Sequence, residues 1–236
     1  MKKLFVFCLT LLAALSLWAC GKASTTVETE GGTKTYDKNG NLVEEKMIDV
    51  DGTYLGRREY TYEDGLLATE TEFDSAGGKI LTSVYTYTAE GVLSHCTENF
   101  YSGDSISGRN VMEYNPAGLV IRSSYYDETN TLISVNMYTY DGSDQKTGTH
   151  YYAYENGVLK TSMVFDKDQN MIGEYSYDES GQISWSVVYE FIGKLPHKGT
   201  NSDGSYMIYH YDENDVCTGY TCYEADGTFR YEETYG

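Results

Sequence analysis

The groups able to do chemistry are scattered along this chain. Its four histidines, His95, His150, His197 and His210, stand in no nucleophile–base motif. His95 and His210 fall inside strand-like patterns, where a polar ring on a sheet face is the simplest assignment. Ser102-Gly103-Asp104-Ser105 is turn chemistry, and neither a Gly-x-Ser-x-Gly elbow nor a phosphate-cradling glycine loop occurs. Asp166-Lys167-Asp168-Gln169-Asn170 begins like a calcium loop, with oxygen ligands at its first, third and fifth positions. Met171 then stands where glycine is needed, and Tyr177 where a bidentate glutamate belongs. No catalytic residue, metal or cofactor is therefore expected. One small basic cluster, Lys194, His197 and Lys198, lies in the widest gap of an otherwise regular acidic chain and is the candidate binding loop. The 25 tyrosines are the remaining candidates. Exposed rings stack on sugars or grip a partner, whereas Tyr-x-Tyr pairs also stabilise a sheet, so only a subset is expected to bind.

The start of the chain carries chemistry of another kind. Lys2 and Lys3 precede an apolar run from Leu4 to Leu17, the layout of a secretory signal and shorter than the ~20 residues of a membrane span. The run ends Leu17-Trp18-Ala19-Cys20, which resembles the lipobox of bacterial lipoproteins. That resemblance implies removal of residues 1–19, diacylglycerol on the Cys20 sulfur and acylation, as palmitate, of the freed amine. Two or three chains are enough for stable anchoring. The implied location is the cell envelope, on the outer or the cytoplasmic membrane, with the membrane as a partner through the acyl chains on Cys20. Residues 20–35 have no apolar period and read as a lipidated flexible tether, ~50 Å at full extension.

Composition narrows the rest. Loss of residues 1–19 removes two lysines and no acid, leaving 36 acidic residues against 15 basic ones. Such a surface repels phosphate backbones, so nucleic acid is excluded as a partner. Tyrosine and threonine suit strands, while abundant glycine, aspartate and asparagine suit turns. Cys8 leaves with the signal and Cys20 is consumed by lipid, so Cys96, Cys217 and Cys222 remain as an odd set with no disulfide framework. On one straight strand Cys217 and Cys222 are ~16 Å apart, and only a bulge or turn at Gly219 could join them.

The elements that must position all of this repeat themselves. An aromatic pair enters an acidic or glycine-rich turn, and Leu, Ile or Val opens the next strand, as in YTYEDGLL from Tyr60, YAYENGVL from Tyr152 and YSYDESGQI from Tyr175. Aromatics enter turns at 62, 73, 87, 101, 114, 126, 140, 154, 165 and 177, steps of one short strand plus one turn. The expectation over residues 36–236 is an all-β, repetitive antiparallel meander of about fifteen short strands. Both strand faces are partly apolar, which favours an elongated twisted sheet over a sandwich with one dry core. A curled or barrel-like closure is the alternative, since open sheets of that size tend to curl.

The Tyr-Asp-x-x-Gly-x-Leu units resemble YD (Rhs-type) repeats, and the Tyr-Glu-Asn-Gly-x-Leu form at Tyr154 is similar to the MORN-like repeats of a bacterial antitoxin family. With the lipobox, this leads to the expectation of a non-enzymatic, lipid-anchored envelope protein whose sheet is a binding or spacer surface for an envelope protein or polysaccharide. Two rival readings remain: an immunity or antitoxin-like protein that binds one toxic partner, which the MORN-like resemblance implies, and a glycan-active envelope enzyme using paired carboxylates.

Overall fold

The computed structural model describes residues 24–235, and every element in it is a strand. The first six are β1 (Thr25–Thr29), β2 (Gly32–Tyr36), β3 (Leu42–Ile48), β4 (Tyr54–Glu63), β5 (Leu66–Asp74) and β6 (Lys79–Tyr87). The next six are β7 (Leu93–Ser102), β8 (Ser105–Tyr114), β9 (Val120–Asp127), β10 (Leu132–Tyr140), β11 (Lys146–Glu155) and β12 (Val158–Asp166). The last six are β13 (Met171–Tyr177), β14 (Ile183–Ile192), β15 (Leu195–Asn201), β16 (Tyr206–Tyr211), β17 (Cys217–Tyr223) and β18 (Phe229–Thr234). Each pairs antiparallel with the strand before it and the strand after it, from β1–β2 through to β17–β18. Backbone contacts run only between consecutive strands, so among the described residues the sheet is one open meander and does not close.

The expected fifteen strands are eighteen, and the three extra ones correct two expectations. Residues 25–35, expected in the tether, form with Tyr36 the hairpin of β1 and β2. They escape an apolar period because threonine fills them, and threonine is itself a good strand former. The widest gap in the repeat is also not a loop. It holds β15, joined to β14 by the two-residue tip Gly193-Lys194.

Two kinds of turn account for all the connections. Five are two-residue tips, closed by the pairs Thr29–Gly32, Glu63–Leu66, Ser102–Ser105, Glu155–Val158 and Ile192–Leu195. In Asp64-Gly65 and Asn156-Gly157 both residues have positive φ, the type I′ form that matches strand twist. The other twelve are five-residue turns. In the first, Asp37 N–H donates to Asn41 O at 2.8 Å and Gly40 N–H to Asp37 O at 3.1 Å. Its fourth position is left-handed, supplied there by Gly40 and elsewhere by Asn130, Asp144, Gln169 or Asp215. The leading aspartate completes the turn: Asp166 Oδ1 accepts the N–H of Asp168 and of Asn170, and its Oδ2 accepts Asn170 Nδ2. Hydrogen bonds of this kind hold Asp37, Asp127, Asp166, Asp178 and Asp212 below the usual carboxylate range. The acidic residues of the repeat are therefore turn formers first.

Nearly every hairpin then carries a bulge on the strand that leaves the turn; β1–β2 and β15–β16 are the exceptions. A bulge adds local twist and disrupts the ladder. Three of the tyrosines that enter turns meet that disruption. Tyr87 Oη donates to Leu67 O at 2.9 Å, Tyr140 Oη to Val120 O at 2.7 Å and Tyr211 Oη to Pro196 O at 2.7 Å. Each accepting carbonyl belongs to the residue just before the bulged one, at Ala68, Ile121 and His197. Phenylalanine at these positions would fill the space and leave the carbonyl unserved.

Burial is thin. The buried apolar side chains among the described residues are Cys96, Val135, Val187 and Cys222, each on a different strand. Every residue of β1 and β18 is exposed. Stability thus comes from strand pairing and neighbouring side chains rather than from a dry core, and each joint matters locally. Gly56 is such a joint, with φ of 145°. A Cβ there would lie 2.2 Å from Phe73 O. Gly56→Ala is expected to cost about 3 kcal/mol, combining backbone strain with a backbone clash. Gly40→Ala meets open space and should lose only the left-handed penalty of about 1 kcal/mol. Hydrogen exchange of the β3–β5 amides reads both, and equal losses would refute the steric account.

Candidate functional site

Residues directly opposite in a sheet share a face, so the register sorts the side chains. One unbroken row runs Tyr60, Glu70, Ser83, Glu98, Asn110, Tyr125, Ser134, Ala153, Thr161, Ser176, Trp185 from β4 to β14. It defines the front face. The charges in that row stop at Glu98, and the front face changes character along the array.

Over the first strands the front face is an ion-pair network. Lys34 Nζ lies 3.0 Å from Glu45, and Arg58 lies 3.6 Å from Glu70 and 3.5 Å from Glu72. Tyr60 Oη donates to Glu45 and Tyr85 Oη to Glu70, each at 3.3 Å. The hydrogen bond from Lys34 outweighs burial and holds the Glu45 carboxyl below its usual range. Burial, with Glu70 and Glu45 beside it, pushes the Tyr60 phenol up to about 12. Burial likewise pushes the Cys96 thiol up to about 11, which makes it a poor nucleophile.

Over the last five strands, β14–β18, the same face is aromatic and nearly uncharged. Tyr189 and Tyr209 sit on β14 and β16 with ring centroids 6.5 Å apart. Gly199 of β15 lies opposite Tyr189 on one side and Met207 on the other, so β15 puts no side chain of its own between the two strands at that point. Tyr209 approaches Tyr220 at 6.2 Å, and Tyr220 approaches both Tyr231 and Tyr235 at 6.2 Å. Tyr231 and Tyr235 are 45% and 50% exposed, so the outer rungs have free ring faces. Beside the inner rungs, Tyr189, Phe191, Tyr209, Met171 and Pro196 surround a hollow of about 310 Å³, with Lys194 at its rim. The charged group within the ladder is Glu233, which accepts a hydrogen bond from Tyr220 Oη; that bond, more than burial, pushes the Tyr220 phenol up. Burial pushes the Tyr189 and Tyr209 phenols up as well. All three keep their protons and remain donors. The back face of these strands, by contrast, carries Glu190, Lys198 and His210.

The structure separates the basic cluster. Lys194 occupies the hairpin tip and lines the front-face hollow. His197 is the extra residue of the β14–β15 bulge and is exposed. Lys198 points to the back, 3.5 Å from Glu190 and 4.8 Å above the Tyr206 ring. Only Lys194 joins the candidate site; a bulge and a period of two cannot keep three near neighbours on one face. The rings that matter were inside the tyrosine set without being singled out. The signal that selects them is glycine at the facing position of the intervening strand, together with the lack of charge in Cys217–Tyr223. Cys20, Leu17 and Ala19 lie outside the described residues.

Other polar groups are spent locally. His95 Nδ1 is 3.1 Å from Ser94 Oγ, but that hydroxyl donates to Thr86 O. His210 Nε2 lies 2.6 Å from Thr221 Oγ1, and among the described residues no carboxylate is hydrogen-bonded to its ring. Among the described residues no three His, Cys, Asp or Glu side chains gather closely enough to hold a metal ion. Cys96, Cys217 and Cys222 are free thiols, and the bulge at Thr218 does not join the last two.

No protein-family model matches the chain, and no curated protein does. Solved structures do. A porin-like protein from Bacteroides uniformis is similar at 11% identity and a TM-score of 0.26, over 90% of this chain and 92% of its own. The TcdB2-TccC3-Cdc42 structure is similar at 12% identity and a TM-score of 0.22, over 81% of this chain but 14% of its own length. A Bacteroides fragilis protein of unknown function is similar at 12% identity and a TM-score of 0.22, over 53% of this chain and 84% of its own. What is established of this chain's kind is its repeat-like all-β architecture.

Proposed function

We propose that the protein is a lipid-anchored cell-envelope protein built of YD/MORN-like repeats, whose sheet is a non-enzymatic binding and spacer surface. One observation carries this reading. The charge-poor aromatic site lies at the opposite end of an open array from the segment that bears Cys20. Eighteen strands at ~4.8 Å put β18 ~80 Å from β1 along the sheet. Four residues separate Cys20 from Thr25 at the start of β1, so the sheet itself, rather than a long tether, supplies the reach. The two hydroxyl–histidine pairs, Ser94–His95 and Thr221–His210, show no carboxylate hydrogen-bonded to the imidazole among the described residues, while the ladder offers ring faces and hydroxyl tips, the chemistry of binding.

The anchor is tested on the full chain in a bacterium that processes lipoproteins. The parent chain should appear in the membrane fraction, shortened and labelled by a fatty acid analogue. Cys20→Ala should accumulate at full length without label. Normal labelling of that variant, or its normal shortening and release, would remove the anchor from the reading.

A further inference from the structure

We propose that the tyrosine ladder across β14–β18 takes a neutral glycan, laid over Tyr189, Tyr209, Tyr220, Tyr231 and Tyr235 with the hollow at its inner end. The inference deepens the binding-surface reading and rests on it. Among non-protein polymers, two lie along a row of aromatic rings: single-stranded nucleic acids, through their bases, and polysaccharides, through the C–H faces of their sugar rings. The first is repelled by a chain of net charge −19, because base stacking always brings phosphates with it. An acidic polysaccharide meets the same repulsion. A neutral one does not.

The placement of charge on the molecule agrees. On the front face of β14–β18 the acidic side chain is Glu233, already held by Tyr220, while the back face of the same strands keeps Glu190 and Glu232. Acid is thus withheld where the rings are. The site offers what a polyol needs beyond stacking: phenol hydroxyls that stay protonated, and the Lys194 ammonium at the rim, which has no carboxylate within salt-bridge distance among the described residues. Five strands at ~4.8 Å span ~19 Å, enough for a short run of sugar rings to touch more than one rung. A protein partner is the alternative occupant. The hydroxyl at the tip of every ladder ring suits a polyol better than an apolar protein surface and favours the sugar.

The chain without residues 1–20 carries all eighteen strands and is the material for the test. Calorimetric titration would compare neutral hexasaccharides of β-1,4-linked glucose and of β-1,4-linked N-acetylglucosamine with an acidic hexagalacturonate. At least one neutral hexamer should bind and the acidic one should not. Tyr231→Ala combined with Tyr235→Ala changes exposed rings and spares the fold, which circular dichroism would check. It should weaken binding at least about tenfold. Tyr85→Ala, on the front face but outside the ladder, should leave affinity unchanged. Binding of neither neutral hexamer, tighter binding of the acidic one, or binding indifferent to the double variant would overturn the proposal. Capture of an envelope protein that the same double variant releases would also overturn the glycan, yet would leave the binding-surface reading standing.

Discussion

Val187→Asp should melt the end of the sheet that carries the aromatic ladder while leaving the beginning intact. Val187 is fully buried, at 0% exposure, on the front face of β14 between Glu174 and Asn201. Its Cγ2 sits 3.2 Å from where a Cβ on Gly199 would stand, so the side chain packs directly over the β15 backbone and a carboxylate there would be cut off from water. The nearest acidic neighbour opposite is Glu174, which adds repulsion. A buried charge without a partner costs about 3–5 kcal/mol. In a domain with one core that loss is shared by every element. In this sheet, strands contact only their sequence neighbours, and stability is a sum of local terms. Hydrogen exchange should therefore show lost protection in β13–β16 and unchanged protection in β3–β8. Uniform loss across all strands would mean that the array behaves as one cooperative unit and that its stability is not a local sum.

Truncation exposes the same principle with a larger change. A chain ending at Tyr177 lacks the last five strands, yet β1–β13 keep every pairing among themselves and lose only that of β13 with β14. Nothing they bury is supplied by β14–β18 except the cover on one side of β13. The shortened chain is expected to retain its β circular dichroism per residue and the exchange protection of β3–β11, with β12 and β13 frayed as a new end. A sandwich or a closed barrel cut at this point would unfold, because the removed strands would have formed one wall of its core. Collapse of the shortened chain to a disordered state is the result that would refute the open meander.

Much of this architecture is legible in the residues, for identifiable reasons. The aromatics at 62, 73, 87 and onward each stand just before a turn, and at Tyr87, Tyr140 and Tyr211 the ring's hydroxyl reaches back to a bulge carbonyl on the preceding strand. Aspartate and glycine at fixed offsets follow from the turn hydrogen bonds and the left-handed fourth position. The signals that failed were those carried by other means. Thr25–Thr29 and Gly32–Tyr36 form strands without an apolar side, so hydropathy could not find them. Leu195–Asn201 hid because Pro196 and the bulged His197 break the alternation that marks a strand. The basic cluster looked like one site because Lys194, His197 and Lys198 are close in sequence; a hairpin tip, a bulge and a back-facing position scatter them. The aromatic ladder spans residues 189 to 235, too far apart in the chain for local reading. Only the register brings Tyr189, Gly199 and Met207 into one row, with Tyr209 two residues along β16 on the same face.

The open meander also sets how the protein would answer a mechanical pull. Hydrogen bonds between antiparallel strands run perpendicular to the strands, and so along the line from β1 to β18. Tension applied between the two ends would therefore load these bonds along their own axes and a few at a time. Such a sheet peels, hairpin after hairpin, instead of shearing all at once. With about a dozen residues per strand and turn, each peeled strand would release ~40 Å of chain at low force. Every strand can re-pair with its sequence neighbour when the tension drops. A protein tied to a membrane at one end and to a bulky polymer at the other would behave as an extensible link, absorbing displacement in the sheet before it reaches either attachment.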